Sequence, residues 1–228
     1  AGGVPEHIAY SVGKTPQGPW TYGGTIMAQT NDTQSFTNHS GIVDDFKGHS
    51  YFFYHTGWVP GGGGFGRSVC VEEFKRGADG SFPEILPTRE GVKPIGTLSP
   101  YQRVEFETMA FSKGLKTQQN VKTGVYVNET HNGDWLKVRE VDFGTDGPKR
   151  VELRAASALR GGTVELHTDS IAGPKIAEVK VDGTGGWEEW RTFSTETKSV
   201  TGVHDLYFVF TGRKGPQLFS LDWWRMKK

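Results

Sequence analysis

Five of the seven tryptophans lie in the second half of the chain, in a pattern that suits sugar recognition. They stand in three short motifs, NGDW, TGGWEEW and LDWW, and Tyr126 lies shortly before the first of these. The residues concerned are Tyr126, Trp135, Trp187, Trp190, Trp223 and Trp224. An aromatic ring binds a sugar by lying flat on the apolar C–H face of the pyranose, while planar polar groups take the hydroxyls. These residue types therefore predict a carbohydrate-binding surface.

Most of these rings also have a competing structural role. Trp135, Trp190 and Trp223 alternate with charged neighbours along predicted strands, which favours a place in the hydrophobic core. Trp187 differs because it follows the turn sequence TGG, at the edge between a loop and a strand. An exposed ring at such an edge is unfavourable unless it is used. For Trp187, sugar binding and packing both stay open.

Charge and cysteine content narrow the classes of function. Lys+Arg and Asp+Glu both total 26, so the formal net charge is zero and the basic surface of a nucleic-acid-binding protein is not expected. No apolar run reaches membrane-spanning length. The single cysteine, Cys70, cannot form an intrachain disulfide and is expected to be a small buried residue. A start at Ala1 without a signal peptide suggests a mature or excised piece of a longer protein.

Composition and periodicity predict an all-β protein. Many aromatic residues and 32 glycines with few aliphatic ones favour short strands joined by frequent turns. After the Pro- and Gly-containing segment 84–100, apolar residues alternate at period two in several runs, which favours a β-sandwich. Leu206–Phe210 is apolar throughout and predicts a central strand covered on both faces. We expect two domains, 1–97 and 98–228.

The first of these domains is predicted to consist of strands between dense turns. EHIAYSV and WTYGGTIM flank KTPQGP, and GIVDDF and HSYFFYHTG flank Lys47-Gly48, a natural hairpin turn. The run GGGGFG at Gly61–Gly66 cannot hold a strand, because ordering successive glycines has a high entropic cost. We expect a mobile or closely approached loop there, ahead of the strand RSVCVEEF.

Five ordered motifs give the second domain a family resemblance: VEFETMAFSKG, NGDWLKV, TGGWEEW, GVHDLYFVFTG and LFSLDWW. From about residue 100 to the end, the chain resembles a family 6 carbohydrate-binding module. The resemblance implies a jelly-roll β-sandwich with a structural calcium ion and a sugar cleft among the loops at one end. It places calcium ligands at Glu105, Glu107 and Asp222, which fits the preference of Ca²⁺ for hard oxygen ligands. The alternative is that Glu105 and Glu107 are solvent-facing strand residues.

The same resemblance assigns the sugar cleft, with two departures from the family pattern. The stacking tryptophan of the family falls on Trp187. The position of the second aromatic residue holds Glu129, and the usual asparagine two residues before the calcium-binding aspartate is Ser220. Tyr126 or Asn132 could compensate for these losses, or a second surface could serve.

Residues 1–97 carry a second resemblance, through PEHIAYS, TPQGPW, SFTNHSGIVDDFKGHSYFFYH and GGGGFGRSVCVEEF. In this order they look like the later blades of a family 43 glycoside hydrolase, whose catalytic domain is a five-bladed β-propeller. The resemblance implies that His39 faces a central metal ion or water cluster and that Arg67 contacts the substrate. From the residues alone, a lone histidine is more often structural, and Arg67 could equally form a surface ion pair.

The catalytic carboxylates of that hydrolase family are not expected in this chain. Inverting glycosidases need a carboxylic acid and a carboxylate base on opposite sides of the scissile bond, and in the family these residues come from earlier blades. Glu6 lies before the first matched strand, while Asp44 and Asp45 flank a hairpin turn, where Asp favours local hydrogen bonding. We therefore predict no catalytic residue here.

Together these features predict part of a secreted arabinoxylan- or xylan-degrading glycoside hydrolase, of arabinofuranosidase or xylosidase type, with an intact binding module. The chain alone is expected to bind plant cell-wall polysaccharide at most, with calcium in the sandwich and a second metal near His39. A partial propeller leaves strand edges and an apolar face uncovered, so a companion chain is a further expected partner. The alternative is a non-catalytic carbohydrate-binding protein with an accessory β-domain.

Overall fold

The computed structural model describes residues 6–28, 33–59 and 62–228, and over these residues the protein is all β with no helix. The all-β prediction is confirmed. The chain divides into two compact units, Ala1–Lys93 and Pro94–Lys228, within a few residues of the predicted boundary between 97 and 98. In the described part of the chain, no helix is long and apolar enough to cross a membrane.

The first unit contains two small antiparallel sheets, and every strand predicted there from sequence is present. The strands are β1 (Ile8–Gly13), β2 (Trp20–Met27), β3 (Gly41–Phe46), β4 (His49–Thr56) and β5 (Ser68–Phe74). Strands β1 and β2 pair with each other, while β3, β4 and β5 form a three-stranded sheet with β4 in the middle. These elements agree with the later blades of a propeller, the fold that the family 43 resemblance implies.

The core of the first unit covers one face of the three-stranded sheet. The buried residues are Ile26, Met27, Phe52, Tyr54, Phe74 and Ile85. Because side chains alternate between the two faces of a strand, Phe53 next to Phe52 is instead 37% exposed, and Val69 on β5 is 79% exposed. The sheet therefore leaves apolar side chains on its other face.

The glycine run was expected to form a mobile or closely approached loop, and the structure shows close approach at Gly62 and Gly64. Gly61 lies outside the described residues. A Cβ atom on Gly62 would collide with the backbone of Gly57, and one on Gly64 would collide with the ring of Phe36. This segment is closely approached by its neighbours, which is the reason that glycine is required there.

The second unit is a β-sandwich of eleven strands within the described residues. The short strands at its start are β6 (Val104–Glu105), β7 (Phe111–Lys113), β8 (Lys116–Asn120) and β9 (Gly124–Asn128). The longer ones are β10 (Trp135–Asp142), β11 (Arg150–Ser157), β12 (Gly161–Thr168), β13 (Lys175–Asp182), β14 (Gly186–Glu196), β15 (Val203–Thr211) and β16 (Ser220–Lys227). One sheet has the order β13-β12-β15-β10-β7, and the other has the order β14-β11-β16-β9-β8 with β6 paired to β16.

The core of the sandwich joins side chains that are far apart in sequence. Phe106, Phe208 and Trp224 are fully buried, and the Phe208 ring lies 5.2 Å from Phe106 and 5.1 Å from Trp224, between centroids. A fully buried aromatic side chain stabilises the folded state by roughly 2–3 kcal/mol. The first and last strands of the unit are thereby fixed to its centre.

Two burial predictions are wrong in part. Strand β15 is central as predicted, but only Leu206, Phe208 and Phe210 are fully buried, while Tyr207 and Val209 are half-buried. The reason is that no further layer covers the outer face of its sheet among the described residues of this unit.

The tryptophans show the same effect. Trp135, Trp190 and Trp223 are half-buried rather than core residues, while Trp224 is fully buried. Trp224 pairs with Leu153 and shares its inward face, so the neighbouring Trp223 must point to the outer face.

Candidate functional site

One end of the six-stranded sheet brings together residues from four strands. Ser157 pairs with Gly186, Ala156 pairs with Ser220, and Leu221 pairs with Val127. Trp187, Ser220 and Asn128 therefore lie at the same end of the sheet, although they are distant in sequence. We call this end of the sheet the amide end.

Trp187 stands on a firmly anchored turn. Thr184 is buried, its hydroxyl accepts a hydrogen bond from the Ser157 amide at 2.8 Å, and its own amide donates to the Ser157 carbonyl at 2.8 Å. Gly185 adopts a left-handed φ of 100°, which a side chain would strain. The sequence TGG thus fixes the start of β14, and the Trp187 ring remains half-exposed next to the exposed Glu188.

Tyr126 supports this region from inside rather than stacking on a ligand. Its side chain is only 1% exposed, its ring packs edge-on against Trp190 at 5.1 Å, and its hydroxyl donates to Glu188 Oε1 at 3.2 Å. Burial, and then the negative charge of Glu188, raise the pKa of the Tyr126 phenol. Tyr126 therefore lies beneath the candidate site, and the face of its ring is not accessible to a sugar.

Ser220 belongs to a cluster of amide side chains that sequence analysis missed. Ser220 is fully buried and its hydroxyl donates to Asn128 Oδ1 at 3.0 Å; Gln217 Nε2 donates to the same oxygen. Asn128 Nδ2 donates in turn to Gln118 Oε1 at 2.6 Å. Asn128 therefore brings an amide to the place where the family's asparagine is replaced. Only the pairing of β9 with β16 reveals this contact, because Asn128 and Ser220 lie 92 residues apart in sequence.

The two remaining candidate positions lie on loops. Asn132 is exposed, and its Oδ1 accepts a hydrogen bond from the Gly212 amide at 3.0 Å, which ties the β9–β10 loop to the end of β15. Glu129 is exposed with a left-handed φ of 53°. The carboxylate that replaces the second aromatic residue therefore offers charge and hydrogen bonding, with no ring on that side.

The three carboxylates expected to ligate calcium lie where the first strand of the sandwich meets the last. Glu105 on β6 pairs with Trp223, and the Phe106 amide donates to the Asp222 carbonyl at 2.9 Å. Asp222 is fully buried, and Glu107 Oε2 is a buried atom with no hydrogen-bond partner. The carboxylates act on one another, because the charges of Glu105 and Asp222 each raise the pKa of Glu107, after the larger effect of its own burial.

Two arginines contact the oxygens of Glu105 and Asp222. Arg103 contacts both oxygens of Glu105, with Nε at 2.7 Å and Nη2 at 2.9 Å, and its Nη2 also lies 3.4 Å from Asp222 Oδ1. Arg154 Nη1 binds Asp222 Oδ2 at 2.6 Å. Burial raises the pKa of Asp222 in spite of these two cations.

The donor chemistry of the cluster fits calcium. Its ligands are carboxylate oxygens, the kind that Ca²⁺ prefers, and a buried carboxylate oxygen without a partner is unfavourable unless a cation or donor meets it. Across the described ranges, however, no group of three or more His, Cys, Asp or Glu side chains is arranged to hold a metal ion. At this cluster, guanidinium groups contact two of the three carboxylates.

In the first unit, the structure brings His39 together with a second histidine that sequence analysis missed. The His39 and His55 rings lie 5.2 Å apart at 73°, and the Thr37 hydroxyl lies 3.1 Å from His55 Nε2. Burial, followed by the positive charges of Arg67 and His39, lowers the pKa of His55. His55 lies two residues after Phe53 on β4, so its side chain is on the same face of the sheet as the exposed Phe53.

Arg67 lies near this pair but is exposed, and its Nε donates to the Gly64 carbonyl at 2.8 Å. Glu6 accepts a hydrogen bond from the Asn38 amide at 3.0 Å, next to His39, whereas Asp44 pairs with Arg76 on the surface. The predicted substrate-binding residues thus lie in one place, and Asp44 lies elsewhere.

Comparison with known proteins gives this geometry a context. The family described as "Carbohydrate binding module (family 6)" matches residues 105–228. A curated relative, the arabinoxylan arabinofuranohydrolase of Paenibacillus polymyxa, is 34% identical over 96% of this chain and 36% of its own length. The chain therefore spans little more than a third of that relative.

Two solved structures resemble this chain, one over nearly its whole length and the other over little more than half of it. A glycoside hydrolase family 43 arabinoxylan arabinofuranohydrolase from Bacillus subtilis, in complex with cellotetraose, is 33% identical with a TM-score of 0.82, over 97% of this chain and 47% of that one. A family 6 carbohydrate-binding module from Clostridium cellulolyticum, in complex with xylose, is 37% identical with a TM-score of 0.55. It covers 57% of this chain and its own whole length.

Proposed function

Because the chain belongs to carbohydrate-binding module family 6 over residues 105–228, we propose that its second unit binds the xylan backbone of plant cell-wall polysaccharide at the amide end. The observation that carries this proposal is the half-exposed Trp187 ring, held on its anchored turn beside Glu188. The ring supplies an apolar platform for a pyranose, and the amides of Asn128 and Gln118 supply planar partners for its hydroxyls.

The similarity of the whole chain to arabinoxylan arabinofuranohydrolases supports a second part of the proposal. The first unit belongs to the propeller of a secreted, inverting arabinoxylan-active hydrolase, in which His39, His55 and Arg67 line the substrate pocket. The carboxylic acid and base of that reaction lie on other blades. Hydrolysis belongs to the complete enzyme, and this chain contributes binding.

A structural calcium ion is the third part of the proposal, held by Glu105, Glu107 and Asp222. The support is the partnerless buried Oε2 of Glu107 together with an all-oxygen donor set. Such a cation contributes no step of hydrolysis. It ties β6 to β16 and so fastens the first strand of the sandwich to the last.

The test of sugar binding compares the half-exposed Trp187 with an exposed tryptophan of the first unit. We expect Trp187→Ala to weaken the binding of xylohexaose at least about tenfold, since a central aromatic anchor carries much of the binding energy of such a site. Trp20→Ala serves as the control, because Trp20 is 59% exposed and lies in the first unit. Isothermal titration calorimetry and affinity electrophoresis in soluble arabinoxylan measure both variants.

Two outcomes would contradict this part of the proposal. Equal affinities of the Trp187→Ala and Trp20→Ala variants would remove Trp187 from the site. Binding of cellohexaose with no binding of xylohexaose would retain a sugar site but overturn its assignment to xylan.

A further inference from the structure

Arg103 holds the place of a cation at the acidic cluster. Its guanidinium meets Glu105 through two nitrogens, at 2.7 and 2.9 Å, and reaches Asp222 Oδ1 at 3.4 Å. Charge-assisted, bidentate contacts of this kind are the strong form of the arginine–carboxylate pair. One side chain therefore satisfies oxygens on two of the three carboxylates that the calcium proposal uses.

Arg103 is also accessible to solvent. Its side chain is 49% exposed, and its guanidinium carbon lies 5.6 Å from the centre of the Trp223 ring on the outer face of the sheet. Arg154 is placed differently, since it binds the other oxygen of Asp222 and lies 5.6 Å from the Trp190 ring. Of the two cations, Arg103 is the one whose contacts overlap with those of an ion between Glu105 and Asp222.

A calcium ion and the Arg103 guanidinium cannot both occupy those oxygens. The like charges of two cations at one site repel each other, and each oxygen that ligates calcium must first release its arginine hydrogen bond. Without any cation, the like charges of the three carboxylates would repel one another in a place where Asp222 is fully buried.

We propose that Arg103 is an internal counter-ion of the calcium site: it holds Glu105 and Asp222 together in the metal-free protein and is displaced when calcium binds. This inference rests on the calcium site of the proposed function. Arg103 then sets the calcium affinity of the module to a lower value than its carboxylates alone would give, and it preserves the junction of β6 with β16 when calcium is scarce.

The experiment measures calcium affinity in matched variants of the full chain. We expect Arg103→Gln to bind calcium about three- to tenfold more tightly, the size expected for the loss of a partly exposed, charge-assisted ion pair. Arg103→Lys keeps the positive charge but loses the bidentate guanidinium, so its calcium affinity should lie between those of Arg103→Gln and the wild type. Arg225→Gln is the control, because Arg225 lies 5.5 Å from the same Trp223 ring but pairs with Glu152, which is outside the cluster.

A second measurement follows the arginine directly. In metal-free protein the Nε–H of Arg103 donates to Glu105, so its NMR signal should be protected from exchange and should be missing in the Arg103→Gln spectrum. Calcium should abolish that protection in the wild type. This readout does not depend on how stable the variant is without metal.

The outcomes separate the inference from its premise. Equal or weaker calcium binding by Arg103→Gln, or an Nε–H signal that calcium leaves unchanged, would overturn the role of Arg103 and leave the calcium site standing. If neither the wild type nor the variant binds calcium by titration calorimetry, both the proposed calcium site and the role of Arg103 are wrong. A tighter variant with an unchanged Arg225→Gln control supports both.

Discussion

The two units of this protein bury their strands to different degrees. In the second unit, two sheets enclose a continuous core around Phe106, Phe208 and Trp224. In the first unit, a three-stranded sheet buries Phe52 on one face while Phe53 and Val69 stay exposed on the other. A sheet is stable when each apolar face is covered. The sandwich meets this condition by itself, and the first unit shows the face expected of a piece of a larger β architecture.

The comparison extends to the candidate sites. The amide end of the sandwich is built from strands of one unit, and its side chains Asn128, Gln118 and Ser220 are joined by hydrogen bonds. The histidine pair of the first unit has an exposed arginine beside it and a buried amide oxygen, Asn38 Oδ1, with no partner. The amide end is therefore supported by contacts within its own unit, whereas the region around the histidine pair leaves a buried polar atom without a partner among the described residues.

The largest expected effect lies in the sandwich core. We expect Trp224→Ala to lower the free energy of unfolding of the second unit by about 3–5 kcal/mol, since it opens a large cavity in a close-packed interior. Trp223→Ala on the same strand, half-buried on the outer face, should have a much smaller effect. Urea denaturation followed by circular dichroism measures both. Similar losses for the two variants would contradict the enclosed core.

A smaller effect is expected at Glu152, which pairs with Lys227 at 2.6 Å and Arg225 at 2.8 Å. The hydrogen bond from Lys227, opposed by burial and aided by Arg225, lowers the pKa of Glu152. A carboxylate with a lowered pKa in the folded state stabilises the protein above its unfolded pKa of about 4.3, and this stabilisation is lost as the pH falls through the folded value.

We therefore expect Glu152→Gln to lower the free energy of unfolding by about 1 kcal/mol at pH 7, a value reduced because its cationic partners are half-exposed. At a pH below both the folded and the unfolded pKa of Glu152, the substitution should have no effect. Unfolding midpoints measured from pH 7 to pH 2 give the difference. The first-unit pair of Asp44 and Arg76 is the exposed counterpart, and Asp44→Asn should leave the midpoint unchanged. A constant difference between Glu152→Gln and wild type at all pH values would argue against an electrostatic origin.

The smallest effect on stability is expected on the uncovered face of the first unit. Val69→Ser should change the free energy of unfolding by less than about 0.5 kcal/mol, because the side chain is 79% exposed. The same change should reduce self-association, since an exposed apolar face promotes aggregation. Light scattering at rising concentration tests this. A large loss of stability would show that Val69 is covered, and the contrast between the units would weaken.

Sequence patterns predicted the strands far better than the contacts between them. The motif TGGWEEW correctly placed Trp187 at the start of β14, and every strand predicted in residues 1–97 is present. Tyr126 was expected to assist sugar binding, yet it is buried under Trp190. His55 was missed, because nothing local in HSYFFYHTG shows that His39 lies against it.

The sequence by itself determined the all-β class, the alternation of each strand and the motifs of the binding module, because these depend on neighbours within a few residues. Only the tertiary structure decided that Asn128 reaches Ser220, that Arg103 reaches Glu105 and Asp222, and that Glu107 keeps an oxygen without a partner. These contacts arise where β9 and β6 pair with β16, the last strand of the chain. Such pairings are set by the closure of the whole core.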